Sequence, residues 1–194
     1  MPNAKLQNSH KEDDVRKLSV PLTAAAAAVF VTLTLTSIMP RAAGSYAEDR
    51  AAIEDLQARY LFAMDFHDPD LYVTTFTEDG ILDVGSGEIK GRKAIRDVIA
   101  KMPNSRTTEN GLRPASGRHN ISNIVIKVNG NKASGRAYWF HYSNNNPERR
   151  GVFSGYGHYE DEMVKTNGQW FFTKRRIYNE GRAEWAHRGG NPAW

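Results

Sequence analysis

The chain has 194 residues, of which 40% are hydrophobic and 25% charged, so it has the composition of an ordinary globular protein with one core. Its net charge is +4 and its pI about 9.3, but acidic residues are interspersed with the basic ones; that is a solvated surface rather than a phosphate-binding face, and no nucleic-acid partner is expected. The absence of cysteine excludes disulfides, thiolate metal sites and cysteine nucleophiles.

The first segment, residues 1–17, is polar and ends in Arg16-Lys17. Leu18 to Ile38 carries no charge, and Arg41 and a run of small residues follow. A basic flank, an apolar stretch and a small-residue exit fit a secretory signal peptide, with cleavage after Gly44 or Ala47. The apolar run is also long enough to hold an uncleaved chain in a bilayer. Residues 1–47 are therefore expected to be a signal peptide or N-terminal membrane anchor, and the protein to be exported, periplasmic or secreted. The membrane is contacted only through that segment, if it stays uncleaved.

Glu48 to Phe66 predicts a helix, with Ile53, Leu56, Tyr60, Ala63 and Met64 on one stripe. Pro69 breaks it, and Asp70 is expected to cap a short helix through Phe76. Glu78-Asp79-Gly80 predicts a turn, Ile81–Val84 a strand, Gly85-Ser86-Gly87 a second turn and Glu88–Lys90 a short strand. A helix is predicted from Arg92 to about Lys101. Met102 to Gly117 is polar and rich in Gly, Pro and Ser, a long loop of the kind that serves as a lid. Four strands follow: Arg118–Val128, Lys132–Tyr142, Val152–Lys165 and Gln169–Tyr178. Asn-Gly pairs at Asn129-Gly130 and Asn167-Gly168 supply the positive φ of hairpin turns. Residues 179–194 form a tail without a clear period. Helices followed by a meander of long strands make an α+β plan, a curved sheet wrapped over the first helices with a mouth that can hold a ligand.

Two residues on this framework carry the chemistry: Asp65 at the end of the first helix, and His119 at the start of the first long strand. A carboxylate can set the tautomer of an imidazole and raise its basicity, which makes a proton-transfer pair. Each residue also has a plain reading. Asp65 can simply hydrogen-bond the following loop, Tyr60 can be core with a satisfied hydroxyl, and His119 can be an ordinary strand residue. His67, His141, His158 and His187 are too scattered for a metal-binding spacing, and neither H-x3-H nor HExxH occurs, so no metal is expected. The aromatic strand Tyr138-Trp139-Phe140-His141-Tyr142 reads either as core and subunit interface or as the lining of a site for a flat apolar substrate. Lys174-Arg175-Arg176 reads as a solvated strand end, or as the source of an arginine for a substrate carboxylate.

Several pieces taken together resemble a known family. They are Ala52-Ile53-Glu54-Asp55-Leu56 with Arg59-Tyr60 and Asp65, then Phe76-Thr77-Glu78-Asp79-Gly80, then Gly91-Arg92-Lys93-Ala94-Ile95. His119-Asn120-Ile121-Ser122-Asn123, Gly157-His158-Tyr159-Glu160-Asp161 and Asn167-Gly168-Gln169-Trp170-Phe171-Phe172 complete the set. In this order and spacing the chain resembles the SnoaL-like family of the nuclear-transport-factor-2-like superfamily over residues 48–178. The resemblance implies a cone-shaped α+β barrel with a mixed or antiparallel sheet. It also implies the chemistry of scytalone dehydratase, bile-acid 7-alpha-dehydratase and hexachlorocyclohexane dehydrochlorinase, cofactor-free lyases with an Asp–His pair in the cone. Carried over residue by residue, Asp65, His119 and Tyr60 would be catalytic; His141 lies near the place of a further pocket group without a clear match, and the lining reading of the aromatic strand makes Trp139 and His141 substrate-binding. The expected partners are a small hydrophobic oxygenated ring compound and further copies of the chain, as a trimer or dimer. A ketosteroid-isomerase-like isomerase or cyclase, and a non-catalytic secreted ligand-binding module, are the alternatives on the same fold.

Overall fold

The computed structural model describes residues 45–102, 117–187 and 189–194. Most of the leader, and residues 103–116 of the predicted loop, lie outside the described residues. Among the described residues no helix is long and apolar enough to cross a membrane.

The first helix, α1 (Tyr46–Asp65), starts two residues before the predicted Glu48 because a capping box holds its N-terminus. Ser45 Oγ accepts from the Glu48 N–H at 3.3 Å, and Glu48 Oε2 accepts from the Ser45 N–H at 2.7 Å. Ile53, Leu56, Tyr60 and Ala63 are buried along one stripe, as their spacing requires. The short helix α2 (Pro69–Thr74) is capped by Asp68, which accepts from the Leu71 N–H at 2.9 Å, and not by the predicted Asp70. Pro69 suits the first helical position, which moves the cap one residue before it. Asp70 instead pairs with Arg96 of α3 (Arg92–Lys101) at 2.6 Å.

The predicted turn at Glu78–Gly80 is absent. Those residues belong to β1 (Phe76–Asp83), whose register with its neighbour slips between Phe76 and Ile81. Gly80 is needed at this slip, since a Cβ there would lie 2.9 Å from the Phe76 Cβ and 3.2 Å from the Phe172 carbonyl oxygen. The other strands agree with expectation to within one residue at each end: β2 (Glu88–Lys90), β3 (Gly117–Asn129), β4 (Lys132–Ser143), β5 (Val152–Thr166) and β6 (Gln169–Asn179). They form one six-stranded sheet in the order β2-β1-β6-β5-β4-β3. Only the β1–β6 pair is parallel, so the sheet is mixed, curved and unclosed, with β2 and β3 at its edges. The predicted α+β architecture is present; its barrel is an open one.

Helix α1 lies along β3 and is tied to it near both ends. Arg50 donates to the Ile124 carbonyl and Tyr46 to that of Ile126, while Asp65 accepts from the His119 N–H. The inner face of the sheet meets the helices in a core of Tyr60, Tyr72, Phe76, Tyr159 and Phe172, aromatic rings 4.6 to 6.1 Å apart. Burying each such ring contributes on the order of 2–3 kcal/mol.

A fully buried ion pair sits among these rings. Arg175 of β6 donates from Nε and Nη2 to the two carboxylate oxygens of Asp161 on β5, both at 2.8 Å, and neither residue is exposed to solvent. The guanidinium lies 4.2 Å from the ring centres of Tyr60 and Tyr159, and 4.0 Å from that of Phe172. This corrects the reading of Lys174-Arg175-Arg176 as a solvated strand end. Strand alternation turns Arg175 inward opposite Asp161, while Lys174 and Arg176 face outward beside Glu162 and Glu160. Burial favours the neutral guanidine, but the Asp161 carboxylate outweighs it and holds the Arg175 pKa above its ordinary value.

Candidate active site

The structure brings Asp65 and His119 together. The last turn of α1 presents the Asp65 carboxylate to the start of β3, where Oδ2 accepts from the His119 backbone N–H at 2.9 Å. Oδ1 lies 2.6 Å from His119 Nδ1. One carboxylate therefore fixes both the backbone and the ring of the same histidine. An ionised Asp65 makes Nδ1 the protonated nitrogen and leaves Nε2 as the basic one. The Asp65 side chain is nearly covered and that of His119 is half-buried.

His141 is the second imidazole of the site. The β3–β4 ladder pairs it directly with His119, and the two rings are 4.3 Å apart, tilted by 33°. This juxtaposition depends on a bulge. Near the hairpin Val125 pairs with Arg136, a register that would set His119 opposite Tyr142 if it ran on unbroken. The ladder slips between Ser122 and Val125, where Asn123 takes a φ of 52°, and the slip brings His141 to His119 instead. A second bulge, in β5, leaves Ser154 without a partner across the ladder. Its Oγ lies 2.6 Å from His141 Nδ1. Burial lowers the His141 pKa and nearby His119 lowers it further, against the opposing effect of Asp65. Gly117 completes the wall, because a Cβ there would collide with the His141 ring.

Trp139 also faces inward. It is 6% exposed, its ring is 6.0 Å from that of His119, and its Nε1–H donates to the Tyr178 carbonyl at 2.9 Å. The alternate residues Tyr138 and Phe140 are exposed on the outer face, and Tyr142, also exposed, stands near the end of the strand beside the site. Tyr60 is placed differently from the expectation of a group beside the pair. It is fully buried, its hydroxyl accepts from that of Tyr72 at 2.6 Å, and burial raises its pKa. A chain of ring contacts through Tyr159 and Trp139 links it to His119.

A groove of about 450 Å³ borders the pair. Asp65, His119, Arg118 and Asn120 form its polar part, and Leu61, Phe62, Phe66, Ile121 and Tyr142 its apolar part. Sequence reasoning missed Ser154, Asp161 and Gln57, whose Nε2–H donates to Asp161 at 3.3 Å. Nothing local distinguishes these residues from other polar positions. It also read His158 and His187 as unrelated, whereas the fold sets them together beside Glu160 on the outer face of the sheet.

The family model of the SnoaL-like domain matches residues 45–176. No curated protein matches the chain significantly. Among solved structures it is similar to a Mycobacterium tuberculosis protein of unknown function, itself solved as an aspartate-to-asparagine variant. The two are 26% identical over 69% of this chain and 77% of the other, with a TM-score of 0.60. A provisionally assigned scytalone dehydratase from Novosphingobium aromaticivorans is 26% identical over 75% of this chain and 93% of its own, with a TM-score of 0.56. A nuclear-transport-factor-2-like protein with a cystatin-like fold, also from N. aromaticivorans, is 23% identical and shares the fold (TM-score 0.58, covering 72% of this chain and 87% of its own).

Proposed function

The chain belongs to the SnoaL-like family, and on that premise we propose that it is a lyase that eliminates water from a small hydrophobic oxygenated ring compound. The observation that carries this reading is the double contact of Asp65 with the ring and backbone of His119. In the proposed reaction Nε2 of His119 removes a proton from a carbon alpha to a carbonyl. Asp65 stabilises the imidazolium that forms, and the imidazolium then protonates the departing hydroxyl. Both proton transfers are made by one residue, so the elimination needs no cofactor. General acid–base catalysis of this kind contributes roughly 10²- to 10⁴-fold. Burial and the neighbouring His119 both disfavour the charged form of His141, which limits its repulsion of the imidazolium. Trp139 and His141 pack against the His119 ring without lining the groove, and the apolar part of the groove suits a ring compound. Tyr60 belongs to the aromatic core beneath the site and does not line the groove.

The exposed outer-face aromatics, among them Tyr138, Phe140, Phe153 and Tyr156, support assembly as a dimer or trimer, because a patch of that kind is costly to leave in water. Sedimentation of the purified protein checks this, and a monomer at micromolar concentration would contradict it. Export through residues 1–47 belongs to the same proposal and is checked by N-terminal sequencing of the mature protein.

The test of the reaction is a screen of the purified domain against hydroxylated cyclic ketones, with Asp65→Asn and His119→Ala as controls. Loss of water from a substrate, abolished in both variants, is the expected result. Double-bond migration without loss of water would make the protein an isomerase using the same pair. Tight binding without turnover, equal in both variants, would make it a ligand-binding module.

A further inference from the structure

We propose that His158 Nε2, Glu160 Oε1 and His187 Nε2 form a binding site for a divalent transition-metal ion, of the zinc class, on the outer face of the sheet. This site is separate from the Asp65–His119 pair and does not rest on the lyase reading.

The first observation is an unpartnered nitrogen. His158 is only 6% exposed, yet among the described residues its Nε2 is buried without a hydrogen-bond partner. Nearly all buried polar atoms of a folded protein find a partner, so one that has none calls for an explanation. The second observation is what Nε2 faces. Glu160 Oε1 lies 3.6 Å from it, and the same oxygen lies 3.9 Å from His187 Nε2. The three donor atoms are all within 4.8 Å of one another. These separations are too long for hydrogen bonds, so the groups do not satisfy each other. They are close to the spacing of atoms around one ion, since metal–donor bonds of about 2.0–2.1 Å set neighbouring donors roughly 3–3.5 Å apart. Both Glu160 separations come into that range with a contraction of up to about half an ångström.

Each donor is also held in place. The His158 ring stacks on Tyr178 at 4.5 Å and 13°, and its Nδ1 faces Glu180 Oε1 at 3.9 Å. With an ion on Nε2, the Nδ1 proton would point toward this carboxylate, the usual outer partner of a coordinating imidazole. The other oxygen of Glu160 is taken by Arg136 Nη2 at 3.3 Å, and Arg136 Nε donates to the Pro192 carbonyl at 3.1 Å. The tail brings in His187 by turning back on β6, where the Asn179 N–H donates to the Trp185 carbonyl at 3.0 Å and Trp185 packs on Gly85. Two imidazoles and one carboxylate, without thiolates, select zinc, cobalt or nickel over magnesium or calcium. The three protein donors leave at least one coordination position open. An ion here would clip the tail, through His187, onto β5.

The test uses the purified protein, stripped with a chelator, dialysed, and titrated with Co²⁺ followed optically and Zn²⁺ followed by calorimetry. The expected result is one equivalent per chain, visible-range Co²⁺ absorption, and a Tm that rises with Zn²⁺. His187→Ala and Glu160→Gln are expected to weaken binding by at least about 100-fold, the upper range for disturbing even an outlying partner of a metal ligand. His187 lies in the tail, so its removal leaves the sheet intact, and circular dichroism verifies the fold of both variants. Asp65→Asn should bind as the parent does. Absence of stoichiometric binding overturns the proposal, as does binding that survives His187→Ala. Binding lost in Asp65→Asn also overturns it, because Asp65, His119 and His141 hold three donor atoms within the same 4.8 Å and would then be the site.

Discussion

Each face of the sheet carries two imidazoles and a carboxylate, and the two sets differ in how far they satisfy themselves. On the inner face Asp65 and His119 meet at 2.6 Å with a second bond to the backbone, and His141 has its own partner in Ser154. On the outer face Glu160 stands 3.6 and 3.9 Å from the imidazoles, and His158 Nε2 has no partner among the described residues. The same residue types thus support different chemistry. A direct hydrogen bond sets a tautomer and prepares a proton transfer, whereas a gap of an ångström leaves room for an ion.

The largest expected effect comes from breaking the inner set alone. Asp65→Asn should lower turnover of an identified substrate by about 10²- to 10⁴-fold while leaving Zn²⁺ affinity unchanged; steady-state kinetics and calorimetry on one preparation measure both. A variant that loses metal and activity together would erase the distinction between the faces. Next comes the buried pair beneath them. Asp161→Asn leaves the Arg175 charge uncompensated at a position with no solvent exposure, which should cost about 3–5 kcal/mol and lower Tm by on the order of 10 °C. Thermal denaturation followed by circular dichroism measures the loss, which should fall on both faces alike.

Gly117→Ala should act more locally. The added methyl displaces the His141 ring and should reduce turnover by roughly 10-fold through misplaced geometry, with Tm nearly unchanged. A normal rate would show that the position of His141 does not matter. The smallest effect is on pH dependence. The folded-state pKa of His141 is lowered, chiefly by burial, so the unfolded chain takes up the proton first as pH falls below about 6.5. The His141 contribution is complete above that value and is lost below it. His141→Gln should therefore show a shallower fall in Tm between about pH 7 and 5.5 than the parent chain.

Much of the fold was legible because its signals are local. The apolar stripe of α1, the Asn-Gly turns and the four long alternating runs each follow from backbone geometry and the removal of apolar side chains from water. Where local signals competed, the reading failed. Pro69 drew the α2 cap to Asp68, and parallel pairing with β6 drew Glu78-Asp79-Gly80 into a strand. The basic run at Lys174 to Arg176 looked uniform in one dimension, but alternation buries its middle member and leaves the flanking two outside.

The sequence by itself determined the α+β order of elements, the residues of the Asp65–His119 pair and the family to which the chain belongs. Tertiary structure decided which groups share a site. A single bulge at Asn123 sets His141 rather than Tyr142 against His119. A second bulge supplies Ser154, and the returning tail carries His187 to His158 and Glu160. The physical reason is that strand pairing is a long-range condition. A one-residue slip exchanges every facing partner beyond it, and no local preference in the chain records that choice.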